Sequence, residues 1–292
     1  MTTNQAQRAP LETRQWLPRL IRGSRPKFWL YTAGPFLLGS FAGLPPPRNL
    51  LTASFWLPFL YFLVPANAYL YGINDLFDLE TDRLNARSDE LKGEAVLTGR
   101  SLTVQRIVVC AILILDILIL ALLPDTPARI GYALFVALCT LYSAPPVRFK
   151  ARPFLDSYSN VLYVIPGFLG YYLAAGGWPP LTIIGAGALW AAGMHAYSAL
   201  PDIEPDSRAG IATVATALGE RRGLLFVMFN WIGFAALIIV ALGAYGLPTL
   251  LYPLMPLALY LNPRWSVARA YRWFPFVNAG FGFLAFVLIA IR

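Results

Sequence analysis

Residues Asn74–Asp82 read NDLFDLETD and close a run from Leu51 to Ile73 that is otherwise almost wholly apolar. The chain as a whole is 58% hydrophobic and only 13% charged over 292 residues, well outside the composition of soluble globular domains. The hydrocarbon core of a bilayer asks for about 20 apolar residues per helical crossing. Nine such runs can be read, at roughly 28–44, 52–73, 102–123, 128–144, 155–175, 181–199, 223–244, 247–261 and 274–291. They predict an all-α integral membrane protein of nine transmembrane helices, with a polar arm over 1–27 and a membrane domain over 28–292. The arm is Arg-rich and shows no small-residue cleavage pattern, so it reads as an uncleaved segment rather than a signal peptide.

The formal charge is +8, and its distribution points to orientation rather than to nucleic acid. Twenty of the 23 lysines and arginines fall before the first run or in the loops after the even-numbered ones, against Arg48, Arg129 and Arg292 elsewhere. The positive-inside rule therefore predicts a multi-pass protein of the cell membrane, in contact with lipid, with a cytoplasmic N-terminus and the C-terminus outside. NDLFDLETD then lies at the cytoplasmic mouth of the second span. Cys110 and Cys139 fall inside predicted spans and read as packing residues, not a disulfide.

At about 100° per residue, a helix through this stretch sets Asn74, Asp78, Asp82 and Asp75 within about 100° of arc, while Glu80 points away. Carboxylates crowded at a membrane boundary repel one another and need positive compensation. The pattern recurs. NAYLYGINDLFD from Asn67 aligns with HAYSALPDIEPD from His195, so that Ala68 and Tyr69 match Ala196 and Tyr197, Asn74 meets Asp202, and Asp78 meets Asp206. This echo predicts two four-helix pseudo-repeats with the functional site between them. Two facing sets of hard oxygen donors suit a pair of Mg²⁺ ions that complete their coordination with water and substrate phosphates. Arg25, Arg83, Arg148, Lys150 and Arg208 are available to neutralise phosphate oxygens.

These residues resemble the UbiA superfamily of intramembrane prenyltransferases over nearly the whole chain. Asn74, Asp75, Asp78 and Asp82 fit the first motif of that family, N-D-x-x-D-x-x-x-D, and Asp202 and Asp206 fit its second, D-x-x-x-D. The resemblance implies a helical bundle around a lipid-facing cavity, with two Mg²⁺ ions bridging these residues to an isoprenyl diphosphate. It also implies diphosphate contacts from Arg25 in RPKFW and from Tyr142, Arg148 and Lys150 in YSAPPVRFKARP. Two departures stand: GEAVLTGR replaces the Arg-Pro-Leu stretch that follows the first motif in many aromatic prenyltransferases of the family, and the Tyr-to-Lys spacing is longer than their common form. The wording of the motifs is most similar to the lycopene elongase branch, whose members add C5 units from dimethylallyl diphosphate to the ends of lycopene. There the terminal double bond is the nucleophile, and the resulting tertiary cation loses a proton or takes up water.

His195, the only histidine, stands seven residues before Asp202, as Asn67 stands seven before Asn74. Both are placed in the substrate pocket, together with Asp156 and Asn160 at the start of the fifth span. Asp116 lies mid-span with nothing to connect it to the acidic clusters. Two other readings stay open: the same chemistry on an aromatic quinone-precursor acceptor, and a cation transporter. Transport sites normally lie near the bilayer midplane, which disfavours the second.

Overall fold

The computed structural model describes residues 21–45, 53–78 and 99–290, and among them every regular element is helical. In chain order the α-helices are α1 (Leu30–Gly43), α2 (Ala53–Leu63), α3 (Pro65–Phe77), α4 (Gly99–Leu122), α5 (Thr126–Ser143), α6 (Leu155–Tyr158), α7 (Ile165–Ala175), α8 (Leu181–Ala199), α9 (Ile203–Arg208), α10 (Val214–Leu242), α11 (Leu251–Leu261), α12 (Val267–Tyr271) and α13 (Phe274–Ala290). Among the described residues, four helical stretches are long and apolar enough to cross a membrane: Ser101–Leu122, Leu181–Arg208, Val214–Leu261 and Val267–Ala290.

Several apolar runs are not single helices, and proline is the reason. The second run breaks at Val64 (φ −122°, ψ −60°), because Pro65 offers no N–H to continue α2 and instead opens α3. The fifth run starts as α6, tightens into a 3₁₀ segment over Ser159–Tyr163, and restarts as α7 with Pro166 in its first turn. After α8, Pro201 sits in a 3₁₀ turn over Leu200–Asp202 before α9 begins. The helical arc drawn through NDLFDLETD is also shorter than expected. α3 ends at Phe77, and Asp78 caps it with its N–H still on the Asn74 carbonyl, which keeps Asn74, Asp75 and Asp78 on adjoining faces. Asp82 and Arg83 lie outside the described residues.

Two cores form. One joins α1–α5 and α7 through Phe36, Phe62, Tyr69, Tyr132, Phe135 and Leu169; the other joins α8, α10, α11 and α13 through Tyr197, Val227, Trp231, Tyr252 and Phe274. Tyr163 packs against both. Cys139 is buried in the first core, whereas Cys110 is exposed on the outer face of α4, so only one of the two cysteines packs as expected.

The tightest helix pair is α1 with α7. A Cβ built on Gly39 would stand 1.9 Å from the Gly167 carbonyl oxygen, and one on Gly170 would stand 2.6 Å from the Phe36 carbonyl oxygen. Small residues let membrane helices approach this closely. Since the obstruction is backbone, Gly39→Ala is expected to destabilise the fold by about 1–3 kcal/mol, read as a lower unfolding temperature of the detergent-solubilised protein. An unchanged unfolding temperature would contradict the close approach.

Two polar residues prove to be architectural. Asp116, 2% exposed, accepts hydrogen bonds on Oδ1 from the Tyr61 and Tyr132 hydroxyls, the latter at 2.8 Å; these donors partly compensate a carboxyl group that would otherwise be costly in the bundle interior, while its Oδ2 has no partner. Asn67, fully buried, donates its amide to Thr32 Oγ1 at 2.7 Å and to the carbonyls of Phe62 (2.9 Å) and Leu63 (3.2 Å). It thereby stitches the α2–α3 break to α1. That work differs from the pocket position expected from its alignment with His195.

Candidate active site

The C-terminal turn of α3 carries Asn74 and Asp75, with Asp78 as its cap, and cations from two separate segments close on them. From the N-terminal side, Arg25 Nη2 lies 3.1 Å from Asp75 Oδ1, and its guanidinium lies over the Tyr71 ring at 4.6 Å. From the segment after α5, Arg148 Nη2 lies 3.3 Å from Asp78 Oδ1, and Lys150 Nζ hydrogen-bonds Asp78 Oδ2 and, at 3.0 Å, Asn74 Oδ1. Ser143, the last residue of α5, donates to the same Asn74 oxygen at 2.9 Å. The groups are mostly shielded: Lys150 and Asp78 side chains are 11% and 13% exposed. The attraction within ion pairs so shielded from water is much larger than at the surface, although desolvation offsets much of it, and removing one partner leaves an uncompensated charge.

The two cationic segments share a backbone device. Arg25 (φ 52°, ψ 71°) and Arg148 (φ 45°, ψ 63°) both adopt the left-handed conformation, and each launches a 3₁₀ turn, Pro26–Phe28 and Phe149–Ala151. For a residue with a Cβ this conformation costs about 1–2 kcal/mol. Neither position holds the glycine or asparagine that local preference would select, so the ion pairs to Asp75 and Asp78 offset the cost. Strained arginines that converge on one pair of acids are the kind of outlier found at functional sites.

A second group adjoins the first. Tyr142, one residue before Ser143, packs edge-on to His195 with ring centroids 6.1 Å apart, and it lies within electrostatic reach of both Asp78 and Asp156. Asp156 is completely buried at the start of α6. Its Oδ2 accepts the Val214 N–H at 2.9 Å and stands 3.5 Å from His195 Nε2, while its Oδ1 has no hydrogen-bond partner. The Asn160 amide donates to the Asp156 backbone carbonyl rather than to its carboxylate. These contacts bring the ends of α3, α5 and α8 and the starts of α6 and α10 to one end of the bundle.

The second acidic cluster stands on the stretch after α8, with Asp202 closing the 3₁₀ turn, Asp206 in α9, and both side chains partly exposed. Arg208 pairs with Glu204 at the surface, four residues apart. Tyr271 lies within electrostatic reach of Asp202, Tyr31 and Tyr163. Tyr163 in turn shares a 3.1 Å hydroxyl contact with Tyr71, beneath Arg25. Tyr163 also packs edge-on against Tyr31, with ring centroids 6.2 Å apart. Tyr71 and Ser143 were not singled out in the sequence, although Tyr71 precedes Asp75 by four residues and therefore shares its helical face. Among the described residues no three carboxylate, imidazole or thiol groups converge into a ready-made metal cage.

Carboxylates and cations packed together at one end of an apolar helical bundle define a multi-pass membrane protein with a polar site at its rim. The chain belongs to the UbiA prenyltransferase family, whose sequence profile matches residues 28–290. It is 44% identical over 255 residues to the lycopene elongase/hydratase of Halobacterium salinarum, which covers 87% of this chain and 90% of that one. To the lycopene elongase/hydratase of Haloarcula japonica it is 39% identical over 272 residues, 93% of this chain and 90% of the other. Its fold is similar to that of a UbiA homologue from Archaeoglobus fulgidus bound to DMAPP and Mg²⁺, with a TM-score of 0.67 at 23% identity over 94% of this chain and 100% of that one. A UbiA homologue from Aeropyrum pernix gives a TM-score of 0.69 at 20% identity, covering 92% and 99%.

Proposed function

We propose that this chain is a Mg²⁺-dependent prenyltransferase that moves a dimethylallyl group from dimethylallyl diphosphate to the terminal double bond of lycopene, in C50 carotenoid synthesis. The observation that carries the reading is the packing of Arg25, Arg148 and Lys150 on the acids of the first motif. A site that holds both signs of charge this close is matched to a metal–diphosphate pair, with carboxylates for the cations and guanidinium and ammonium groups for the phosphate oxygens. The lycopene elongase/hydratase relatives support the choice of acceptor.

The donor set fits the metal. Asn74, Asp75, Asp78, Asp202 and Asp206 present oxygen ligands only, and Mg²⁺ is normally held by one or two carboxylates plus water and substrate phosphate rather than by an all-protein cage. The lack of a ready-made cage is therefore compatible with it. We assign two ions, held by these residues and by Asp82 and bound together with the diphosphate. When bound, they supply the positive charge that lets diphosphate depart. The chain's own residues do the rest. Arg25, Arg148, Lys150 and Tyr142 bind and orient the diphosphate, and the rings of buried Tyr71 and partly buried Tyr163 flank the route where an allylic cation forms. Asp156, Asn160 and His195 line the acceptor side.

In the same reading the protein crosses the cell membrane nine times as two four-helix halves plus one helix, after a short arm over 1–27. Its N-terminus lies in the cytoplasm, its C-terminus lies outside, and the site opens at the inner leaflet. The test is to incubate the purified protein in lipid vesicles with labelled dimethylallyl diphosphate, Mg²⁺ and either lycopene or an aromatic quinone precursor. Product masses are then read. A gain of one or two five-carbon units on lycopene is expected. Gain on the aromatic acceptor alone would replace the acceptor assignment, and metal flux without diphosphate would replace the enzyme reading.

A further inference from the structure

The Asp156–His195 pair is not needed for diphosphate departure, yet it is built like a proton-handling device. Asp156 is fully buried, and one carboxylate oxygen has no hydrogen-bond partner. Among the described residues, His195 is the one cationisable side chain within ion-pair distance of it, at 3.5 Å. The imidazole edge facing Asp156 is its buried Nε2, which stands at ion-pair distance from the carboxylate and makes no hydrogen bond. With Nε2–H turned toward the carboxylate, Nδ1 keeps its lone pair, and no hydrogen bond among the described residues occupies it. The side chain retains 15% exposure, and the edge-on contact with Tyr142 sets it beside the proposed diphosphate-binding residues.

We propose that His195, oriented by Asp156, is the base that accepts a proton from water as that water captures the tertiary cation formed after prenyl transfer, so that this pair decides between a hydrated and an unhydrated end group. The inference rests on the lycopene-prenylating function proposed above. The acceptor double bond gives its electron pair to the dimethylallyl carbon as the carbon–oxygen bond to diphosphate breaks. A water lone pair then forms a carbon–oxygen bond to the tertiary cation, and the proton lost from that oxygen passes to Nδ1 of His195. Asp156 carries the countercharge. The product is a tertiary alcohol, and the imidazolium returns its proton to the departing diphosphate or to solvent. Without the base, the cation resolves by losing a carbon-bound proton instead.

The experiment measures product composition in lipid vesicles with lycopene, dimethylallyl diphosphate and Mg²⁺ in ¹⁸O-labelled water, for wild type, His195→Gln and Asp156→Asn. Each result is expressed as the ratio of ¹⁸O-hydrated to unhydrated prenylated carotenoid within whatever total each variant makes. General-base assistance is commonly worth a hundredfold or more, so the ratio is expected to fall at least about tenfold in His195→Gln and in the same direction in Asp156→Asn. The second variant keeps an acceptor for the Val214 N–H and decides the matter if the first does not accumulate. Loss of total product with an unchanged ratio would assign both residues a merely structural role and overturn the proposal. So would a wild type that prenylates lycopene without incorporating ¹⁸O. A wild type that makes no prenylated lycopene at all would bring down the function proposed above, and this inference with it.

Discussion

Asp75→Asn and Asp202→Asn are each expected to lower prenyl transfer about a thousandfold while the protein still inserts and folds. Each change removes one carboxylate charge and keeps the side-chain shape, so packing is largely preserved. On the proposed reading, what is lost is charge directed at a diphosphate-bound metal, a contribution of several kcal/mol, which converts to about three powers of ten in rate. In Asp75→Asn the Arg25 guanidinium also loses its 3.1 Å ion pair. The two variants matter as a pair because they sit on opposite halves of the chain. The check is the initial rate of labelled diphosphate consumption at saturating Mg²⁺, with insertion followed in the same membranes. Near-normal turnover in either variant would mean that its acidic cluster does not serve the chemistry.

Lys150→Ala is expected to have the next largest effect, about a hundredfold on kcat/KM for the diphosphate donor. Lys150 Nζ holds both Asp78 and Asn74 and is only 11% exposed. Hydrogen bonds of charged groups contribute about 1.5–3 kcal/mol each, and the upper end of that range corresponds to the predicted factor. Lys150→Arg should recover only part of the loss, because a planar fork cannot reproduce the contacts that one ammonium point makes with two neighbouring oxygens. Rates measured across donor concentrations separate the two variants. Equal, near-normal kcat/KM in both would remove Lys150 from the donor site.

The first acidic motif was readable because a bilayer-length apolar run makes each charge within it conspicuous, and a helical period of 3.6 puts positions four apart on one face. Arg25 and Arg148 were readable as candidates but not as partners. Their convergence depends on two left-handed residues, and nothing in RPKFW or VRFKA marks a positive φ, since neither arginine is a glycine or an asparagine. The Asp156–His195 contact joins residues far apart in the chain through the start of α10 at Val214, and no local pattern carries such a contact. The internal echo carried a second expectation too far. Asn67 and His195 occupy matching places ahead of their acidic motifs, but Pro65 breaks the helix just before Asn67, which is spent on repairing that break. His195 lies well inside the unbroken α8 and is free to face Asp156. The two aligned residues therefore make different contacts, because proline changed the local demand for hydrogen bonds around Asn67.

On the proposed reading, two acidic clusters, one from each half of the chain, hold a single diphosphate through divalent metal. Equilibrium binding of a non-ionisable thiolodiphosphate analogue of dimethylallyl diphosphate, with and without Mg²⁺, tests it most directly. The wild type is expected to bind the analogue in a Mg²⁺-dependent manner, and this binding is expected to be lost in Asp75→Asn and, separately, in Asp202→Asn. Full Mg²⁺-dependent binding in either single variant would contradict it.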